Sequence, residues 1–348
     1  MPDRSRVVLF TEVNSKLGSP FLRVLSAHPL INLVAVVTSP AHKVCSYFVN
    51  DATKVNIEAE ARALGIEVHR PSTVSDAAHI SHISESKPDY FFVANFQQKL
   101  AADLLAVPRI AAINFHPSPL PRYAGLAPFY WMVRNGERLS AISVIKMDEG
   151  LDTGPIIMQR QFSLSGNETS IELRTFQEKQ NVLMLLELIP KLAGDAFSCV
   201  PQDLSKRTYC GRPAEQDYLL DFSDEMAGVL RQIRAGYRHP GAHFFLEDGT
   251  RIVVLSAKSV IPTGLKALDT PGRMVIVHGS DAIFISALDG WIQLLTVEID
   301  GKEVPVTPVN LPGVWMERLA RAGKGDAVFS RKMTLPLQGS NQEGVQSA

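Results

Sequence analysis

The sequence predicts an α/β protein in which a mostly parallel sheet, covered by helices, is followed by a small antiparallel β-barrel. Two observations support this prediction. Up to residue 204, strand and helix patterns alternate and the strands are apolar throughout, which is typical of a parallel sheet buried on both faces. Beyond it, short strand patterns are separated by Asp-Gly pairs, which favour tight turns between antiparallel strands.

The first domain is predicted to span residues 1–204. Its strands are predicted at 6–10, 33–38, 66–68, 89–94, 110–115 and 142–147. Its helices are predicted at 19–28, 53–64, 76–85 and 170–192. Ligands of such folds bind beyond the carboxyl ends of the strands. Asn114 and His116, at the end of the fifth predicted strand, are therefore candidate site residues.

The second domain is predicted at 224–330, after a linker at 205–223 and before a disordered tail at 331–348. It should begin with a helix at 224–235. Strands should follow at 243–246, 252–257, 274–278, 282–287 and 291–297. Arg231, Arg234 and Arg238 are three and four residues apart, so we expect them on one face of the helix, as a basic stripe able to hold a phosphate.

Composition argues against several classes of protein. The 348 residues carry 35 Lys plus Arg and 36 Asp plus Glu, so no overall charge attracts nucleic acid or an anionic membrane. The three cysteines form no CxxC pair, which argues against a thiolate zinc site and suits a reducing compartment. No signal peptide is evident, and no apolar run reaches about 18 residues. We expect a cytoplasmic protein without a membrane partner and without a metal ion.

Three polar side chains carry the candidate chemistry. Asn114 offers an amide donor, His116 an imidazole and Asp152 a carboxylate. Acyl transfer to an amine needs donors that stabilise an oxyanion and a base that accepts the protons of the amine. No G-x-S-x-G motif supplies a serine nucleophile. On chemistry alone, hydrolase and transferase remain open, and each residue could instead serve a turn or the core.

Two motifs resemble those of the folate-dependent formyltransferase family: NFHPSPLP at 114–121 and DEGLDTG at 148–154. The resemblance implies a Rossmann-like catalytic domain and 10-formyltetrahydrofolate as formyl donor. The segment at 229–257 is similar to a family C-terminal domain of the OB type. By this resemblance, Asn114 and His116 would stabilise the oxyanion on the formyl carbon, while Asp152 would hold His116 and relay protons.

The same resemblance implies where the folate would bind. The turn made by Ser118, Pro119, Leu120 and Pro121 would line the folate site. Two strand-end loops would cradle the pterin, largely through backbone groups. Their candidate residues are Phe96, Gln98, Lys99, Leu100, Met147, Asp148 and Gly150.

Departures from the family pattern bear on the acceptor. Ala124 replaces a second arginine, the loop at 39–51 carries one lysine, and the loop at 11–18 is atypical. Residues 211–326 hold 12 Lys plus Arg against 15 Asp plus Glu, whereas surfaces that bind tRNA are usually basic. We therefore favour a small-molecule or carrier-bound amine as acceptor over methionyl-tRNA.

Other functions are kept as alternatives. A methionyl-tRNA formyltransferase is the second hypothesis, a hydrolase that releases formate from the folate the third, and a non-catalytic folate-binding module the fourth. A nucleotide dehydrogenase is disfavoured because no G-x-G-x-x-G follows the first strand. The aromatic run Phe129-Tyr130-Trp131 either packs in the core or contributes a ring to the acceptor pocket. The oligomeric state stays open.

Overall fold

The chain folds into two compact units, Met1–Pro213 and Ala214–Ala348. The computed structural model describes residues 4–40, 43–46, 53–192, 197–238, 240–246, 248–260, 270–277, 282–307 and 317–319. The boundary between the units falls inside the predicted linker at 205–223. Leu220 and Phe222 of that segment are buried in the core of the second unit. The predicted tail at 331–348 lies outside the described residues.

A mostly parallel sheet forms the centre of the first unit, as predicted, in the order β3-β2-β1-β4-β5-β7-β8. Pairs from β3 to β5 are parallel, and β7 and β8 extend the sheet antiparallel. The strands are β1 (Ser5–Phe10), β2 (Ile31–Val37), β3 (Glu67–His69), β4 (Tyr90–Val93), β5 (Ala111–His116), β6 (Ala124–Gly125), β7 (Leu139–Lys146), β8 (Ile156–Ser163) and β9 (Tyr209–Cys210). The short strands β6 and β9 form a separate parallel ladder.

Helices cover both faces of this sheet. They are α1 (Gly18–Ala27), α2 (Ile57–Ala63), α3 (Ala77–Glu85), α4 (Ala102–Leu105), α5 (Pro128–Arg134) and α6 (Ser170–Leu192). The helix predicted at 53–64 begins only at Ile57, because the side chain of Asn56 accepts a hydrogen bond from the Ala59 N–H and caps it there. The short helices α4 and α5 and the edge strand β8 were not predicted.

The alternation of side chains along β5 places the candidate site. Phe115 is buried on one face, where its ring meets Phe21 of α1 edge-to-face at 4.8 Å between centroids. Burying such a ring contributes roughly 1.5–3 kcal/mol. Asn114 and His116 point to the opposite face because successive side chains of a strand alternate. The apolar anchor at Phe115 thereby fixes the direction of both polar side chains.

A curled antiparallel sheet forms the second unit, which confirms the predicted OB-like β domain. Its elements are α7 (Glu215–Tyr218), α8 (Met226–Ala235), β10 (His243–Phe245), β11 (Arg251–Val260), β12 (Met274–Val277), β13 (Ile283–Ala287), β14 (Gly290–Ile299), β15 (Lys302–Pro305) and β16 (Glu317–Leu319). The order is β10-β11-β14-β13-β12-β16, with β15 also paired to β14 and β16 parallel to β12. Val229 and Ile233 of α8 pack into the core of this sheet.

The predicted stripe of three arginines does not form, because α8 ends at Ala235. Arg238 lies beyond it in a left-handed conformation, with φ at 62°. Its guanidinium Nη2 is 2.6 Å from Glu303 Oε2, so this charge is already paired. Along the described part of the chain, no helix combines the length and the apolar character that crossing a membrane requires.

Candidate active site

The side chain of His116 is held by the loop that follows β5. It is nearly buried, with 5% of its side chain exposed. Its Nε2 lies 3.0 Å from the carbonyl oxygen of Tyr123. A carbonyl only accepts hydrogen bonds, so Nε2 carries a hydrogen and donates it. The other nitrogen, Nδ1, is 3.6 Å from Oδ1 of Asp152 and is the atom that can exchange a proton.

The carboxylate of Asp152 is positioned by groups from three segments. Its Oδ2 accepts a hydrogen bond from the Gly125 N–H at 2.8 Å, and its Oδ1 lies 3.4 Å from Asn114 Nδ2. Asp152 has φ at 56°, a conformation that costs a residue with a Cβ about 1–2 kcal/mol. Gln202 Nε2 donates to the carbonyl oxygens of Asp152 and Gly154 and supports this strained turn. The structure therefore brings Asn114, His116 and Asp152 together.

Gly125 is required by the close approach of two strands. Its φ is 99°, and a Cβ there would lie 2.4 Å from the Tyr209 ring and 2.5 Å from the Cys210 carbonyl oxygen. The absence of a side chain lets β6 pair with β9 while the Gly125 N–H reaches Asp152. The local backbone thus supports the candidate carboxylate directly.

We expect Gly125→Ala to destabilise the protein by roughly 2–5 kcal/mol, the sum of about 1–2 for the left-handed backbone and 1–3 for the clash. Gly65→Ala is the matched control. Gly65 also has a positive φ, of 72°, but no atom of the described residues lies within 4 Å of the place its new methyl group would take. Urea unfolding of both variants measures the difference. Equal losses of unfolding free energy in the two variants would show that the close contact with β9 does not contribute to the effect.

A cavity of about 360 Å³ opens beside these three residues, within the first unit. Asn114, His116 and Asp152 contribute to its wall. So do the predicted residues of the two pterin loops: Phe96, Gln98, Lys99, Leu100, Met147, Asp148 and Gly150. The structure thereby gathers, around one space, residues that are far apart in the sequence.

The turn Ser118-Pro119-Leu120-Pro121 is not in the wall of this cavity. Ser118 is fully buried, and its carbonyl oxygen accepts a hydrogen bond from Ser143 Oγ at 2.7 Å. The Leu120 N–H donates to the same Ser143 Oγ, and Gln159 Nε2 donates to the Leu120 carbonyl oxygen. These hydrogen bonds hold the turn against β7 and β8 and thereby stabilise the loop that follows His116.

The N-terminal half of α6 forms a polar part of the wall that was not predicted. Arg174, Gln177, Glu178 and Asn181 all line the cavity. They share the inward helix face with Met184, Leu185 and Leu188, which are fully buried apolar residues farther along. Along the buried face of α6, residues at helical spacing are polar in the first half and apolar in the second half. This change is a sequence signal that could have predicted the polar wall.

Two oxygens in this wall lack a hydrogen-bond partner among the described residues. Gln177 and Asn181 are each 1% exposed, yet Gln177 Oε1 and Asn181 Oδ1 accept no hydrogen bond there. Their amide nitrogens are occupied: Gln177 Nε2 donates to the Ala141 carbonyl oxygen and Asn181 Nδ2 to the Gln177 carbonyl oxygen. Buried acceptors of this kind are usually satisfied by water or by a ligand.

One ring of the run 129–131 lines the cavity. Phe129 is part of the wall. Tyr130 is 3% exposed, and Trp131 Nε1 donates to the Gly211 carbonyl oxygen. Tyr130 therefore packs in the core, while a role of Phe129 in an acceptor pocket stays a prediction.

A buried carboxyl group, Glu12, supports the loop after β4. Its Oε1 accepts a hydrogen bond from the Gln97 N–H at 2.9 Å, and its own N–H donates to the Asn95 carbonyl oxygen. Glu12 is only 3% exposed, and this burial raises the pKa of the carboxyl above its usual value of 4.5. The charge of Glu12 therefore opposes folding, while its hydrogen bond positions cavity residues.

We expect Glu12→Gln to remove a pH-dependent loss of stability. Because the folded pKa is raised, the unfolded chain releases this proton first, and the stability of the wild type falls as pH rises from about 4.5 through the folded pKa. The amide keeps an oxygen for the Gln97 N–H but has no charge. Thermal unfolding of both proteins across this pH range gives the comparison, and parallel curves would contradict the assignment.

An amide donor, an imidazole and a carboxylate beside a cavity can support acyl transfer to an amine. Comparison with known proteins agrees with this class of chemistry. The formyl transferase profile matches residues 5–189, and the profile for the formyl transferase C-terminal domain matches residues 214–307. The chain belongs to the folate-dependent formyl transferase family.

Relatives are similar to this chain in sequence, and solved structures are similar to it in fold. The methionyl-tRNA formyltransferase of Citrifermentans bemidjiense is 29% identical over 315 residues, which cover 89% of this chain and 96% of that protein. The fold is similar to an N-formyltransferase from Helicobacter canadensis in complex with folinic acid and dTDP-3-aminofucose, with a TM-score of 0.63 at 17% identity, covering 84% of this chain and 98% of the other. It is also similar to HypX from Aquifex aeolicus, with a TM-score of 0.58 at 17% identity; 94% of this chain matches about half (53%) of HypX.

Proposed function

We propose that the protein transfers the formyl group of 10-formyltetrahydrofolate to a primary amine or hydroxylamine of a small-molecule or carrier-bound acceptor. Family membership supports the formyl transfer. The observation that carries the choice of acceptor is the polar wall of α6, where buried oxygens of Gln177 and Asn181 have no hydrogen-bond partner among the described residues.

Asn114 stabilises the oxyanion in this mechanism. The amine attacks the formyl carbon, and the formyl oxygen takes up the electron pair of the broken π bond. Asn114 Nδ2 is a neutral donor on a rigid strand beside the cavity, and fixed donors of this kind favour the tetrahedral state. His116 adds to this field when its Nδ1 carries a proton.

The pair formed by His116 and Asp152 handles the protons. The amine nitrogen must lose a proton as its bond to the formyl carbon forms, and N10 of the folate must gain one as its bond to that carbon breaks. Because Nε2 of His116 is committed to the Tyr123 carbonyl oxygen, the proton passes through Nδ1 and Oδ1 of Asp152. One proton is taken up and one is returned, so the pair ends the cycle unchanged.

The folate would lie along the two loops that flank Asn114. Phe96, Leu100 and Met147 offer apolar surface for the pterin, and the backbone near Gln98, Lys99, Asp148 and Gly150 offers hydrogen bonds. Ser118, Pro119, Leu120 and Pro121 take a supporting role in this proposal, since their contacts with Ser143 and Gln159 anchor the loop after His116.

The acceptor would lie against α6. Gln177 Oε1 and Asn181 Oδ1 are buried in this structure, so the acceptor would reach them by a rotation of these side chains toward the cavity. Arg174 and Glu178 place both signs of charge on the same wall. A compact acceptor that carries several hydrogen-bond donors fits this wall. Specific recognition by buried polar groups discriminates strongly, because an acceptor lacking the donor leaves those groups unpaired.

We expect Asn181→Leu to raise the KM of the acceptor by roughly tenfold and to leave the KM of the folate unchanged, because one hydrogen bond is worth up to about 1.5 kcal/mol. Steady-state kinetics with each substrate varied in turn measure both values. Lys179→Ala is the matched control on the same helix, since Lys179 is exposed. An unchanged acceptor KM in Asn181→Leu would place the acceptor elsewhere.

A methionyl-tRNA formyltransferase is the second candidate, and the relatives favour it. The relatives that match over most of this chain carry that name, and the C-terminal domain profile is also present. Against it stand the acidic balance of residues 211–326 and the absence of a second arginine at Ala124, whose side chain is fully buried.

A screen of amine acceptors with 10-formyltetrahydrofolate tests both candidates. Mass spectrometry detects the product as an acceptor that has gained a formyl group in place of a hydrogen. We expect a small amine to be formylated and methionyl-tRNA to be a poor substrate. Formylation of methionyl-tRNA at the rate of the best small amine, with a steep loss of tRNA binding at higher salt, would favour the second candidate.

A further inference from the structure

Three possible metal ligands converge at the edge of the first sheet, where β3 meets α3. Nε2 of His82 lies 3.1 Å from Oε1 of Glu67, and Nε2 of His69 lies 3.4 Å from the same oxygen. One donor atom from each of the three residues lies within 4.8 Å of the others. None of the three lines the catalytic cavity.

The spacing of these atoms fits a tetrahedral ion. Zinc binds imidazole nitrogen at about 2.0–2.1 Å and carboxylate oxygen at about 2.0–2.2 Å. Two ligand atoms at such distances, seen from a tetrahedral centre, lie roughly 3.4 Å apart. The two measured separations, 3.1 and 3.4 Å, are close to this value. The carboxylate oxygen is therefore already at a suitable distance from each imidazole, and the two imidazole nitrogens lie within 4.8 Å of each other.

Local structure explains why the three side chains meet. Glu67 and His69 are two residues apart on β3, so their side chains leave the same face of the strand. His82 reaches them from α3, the helix that follows β3 in the chain. About half of the His82 side chain and more than half of the Glu67 side chain are exposed, so an ion can enter from solvent.

A buried histidine lies next to the three candidate ligands. His79 is 8% exposed, and its Nε2 has no hydrogen-bond partner among the described residues. Its ring centroid is 5.6 Å from that of His69. A buried imidazole nitrogen without a partner is unusual, and an ordered water is a recognised cause.

We propose that Glu67, His69 and His82 bind a divalent transition-metal ion of the zinc type, with a fourth position open to water. Two imidazoles and one carboxylate are a ligand set that zinc uses. The sequence-based expectation of no metal considered thiolate ligands, and this site contains none. The ion would link β3 to α3, the two elements that the segment 70–76 connects. Within this segment, the Val74 N–H donates a hydrogen bond to Oε1 of Gln98, which lines the cavity.

Zinc titration of the full-length, chelator-treated protein against a chromophoric competitor tests the proposal. We expect one zinc ion per chain and a rise in Tm on addition of zinc. His82→Ala and Glu67→Gln should each weaken binding at least tenfold, since even partners of the ligands contribute 10- to 100-fold. His82 is half-exposed on a helix, so alanine there is compatible with folding.

Glu85→Gln is the matched control. Oε2 of Glu85 lies 3.8 Å from the other ring nitrogen of His82, Nδ1. The substitution Glu85→Gln removes the same negative charge as Glu67→Gln but leaves all three proposed ligands in place. Cobalt substitution should give a tetrahedral spectrum without a thiolate charge-transfer band, which separates this site from the three cysteines. Failure to bind zinc, binding unaffected by His82→Ala, or a thiolate band would each overturn the proposal.

Discussion

Replacing Asp152 by asparagine should lower the rate of formyl transfer by about 100- to 10,000-fold, the range of a positioned acid–base group. The substitution keeps the shape of the side chain and an oxygen for the Gly125 N–H. Asparagine also tolerates the left-handed backbone found at this position. What it loses is the charge beside Nδ1 of His116 and the ability to take up a proton. The loss should therefore appear in kcat, with little change in folate affinity.

Single-turnover kinetics with saturating folate and acceptor measure this effect on the chemical step. Asp103→Asn provides the matched control, because Asp103 is an exposed residue of α4. Folate binding, followed by intrinsic fluorescence, shows whether the Asp152 variant keeps its donor site. Turnover near the wild-type level in Asp152→Asn would exclude this carboxylate from the path of the protons.

Much of the fold could be predicted because its signals are local. Apolar runs such as VVLF in β1 and FFV in β4 are buried on both faces, so they read as parallel strands without knowledge of their neighbours. Local signals fail at the ends of the sheet. The edge strand β8 carries polar residues such as Gln159 and Arg160 and is only half-buried, so no apolar run identifies it.

The candidate site divides in the same way. The two-residue spacing of Asn114 and His116 predicts that their side chains share one face of a strand, and in the structure both residues lie on β5 with this spacing. Asp152 lies in the loop after β7 and comes close to them because β7 pairs with β5. This pairing joins distant parts of the chain and has no local sequence signal, so only the family motif identified Asp152. The wall of α6 was missed because its long helical pattern was read as a single element, although its inward face changes from polar to apolar after Asn181.

The turn at 118–121 shows a further limit. A motif residue can be required for support instead of for contact with a ligand, and sequence alone does not separate the two roles. Ser118 is fully buried and its carbonyl oxygen accepts a hydrogen bond from β7, so a structural role explains its place in the motif. Burial is a property of the whole fold and has no local signature in a turn of small and cyclic residues.

Replacing Asn114 by alanine should lower kcat by about 100- to 1000-fold, the usual effect of removing one oxyanion donor. A second explanation for such a loss exists, since Asn114 Nδ2 is also 3.4 Å from Oδ1 of Asp152 and could act by orienting it. Asn32→Ala, at an exposed position of β2, controls for the loss of an amide on a strand.

The double variant Asn114→Ala/Asp152→Asn separates the two explanations. If Asn114 donates to the developing oxyanion, it acts on a different atom from the proton-handling pair, and the double variant should be slower than either single variant. If Asn114 only orients Asp152, its loss has no further effect once the carboxylate is gone, and the double variant should match Asp152→Asn. We expect the first result, because the 3.4 Å contact is long for a hydrogen bond, whereas the 2.8 Å bond from Gly125 already fixes the carboxylate.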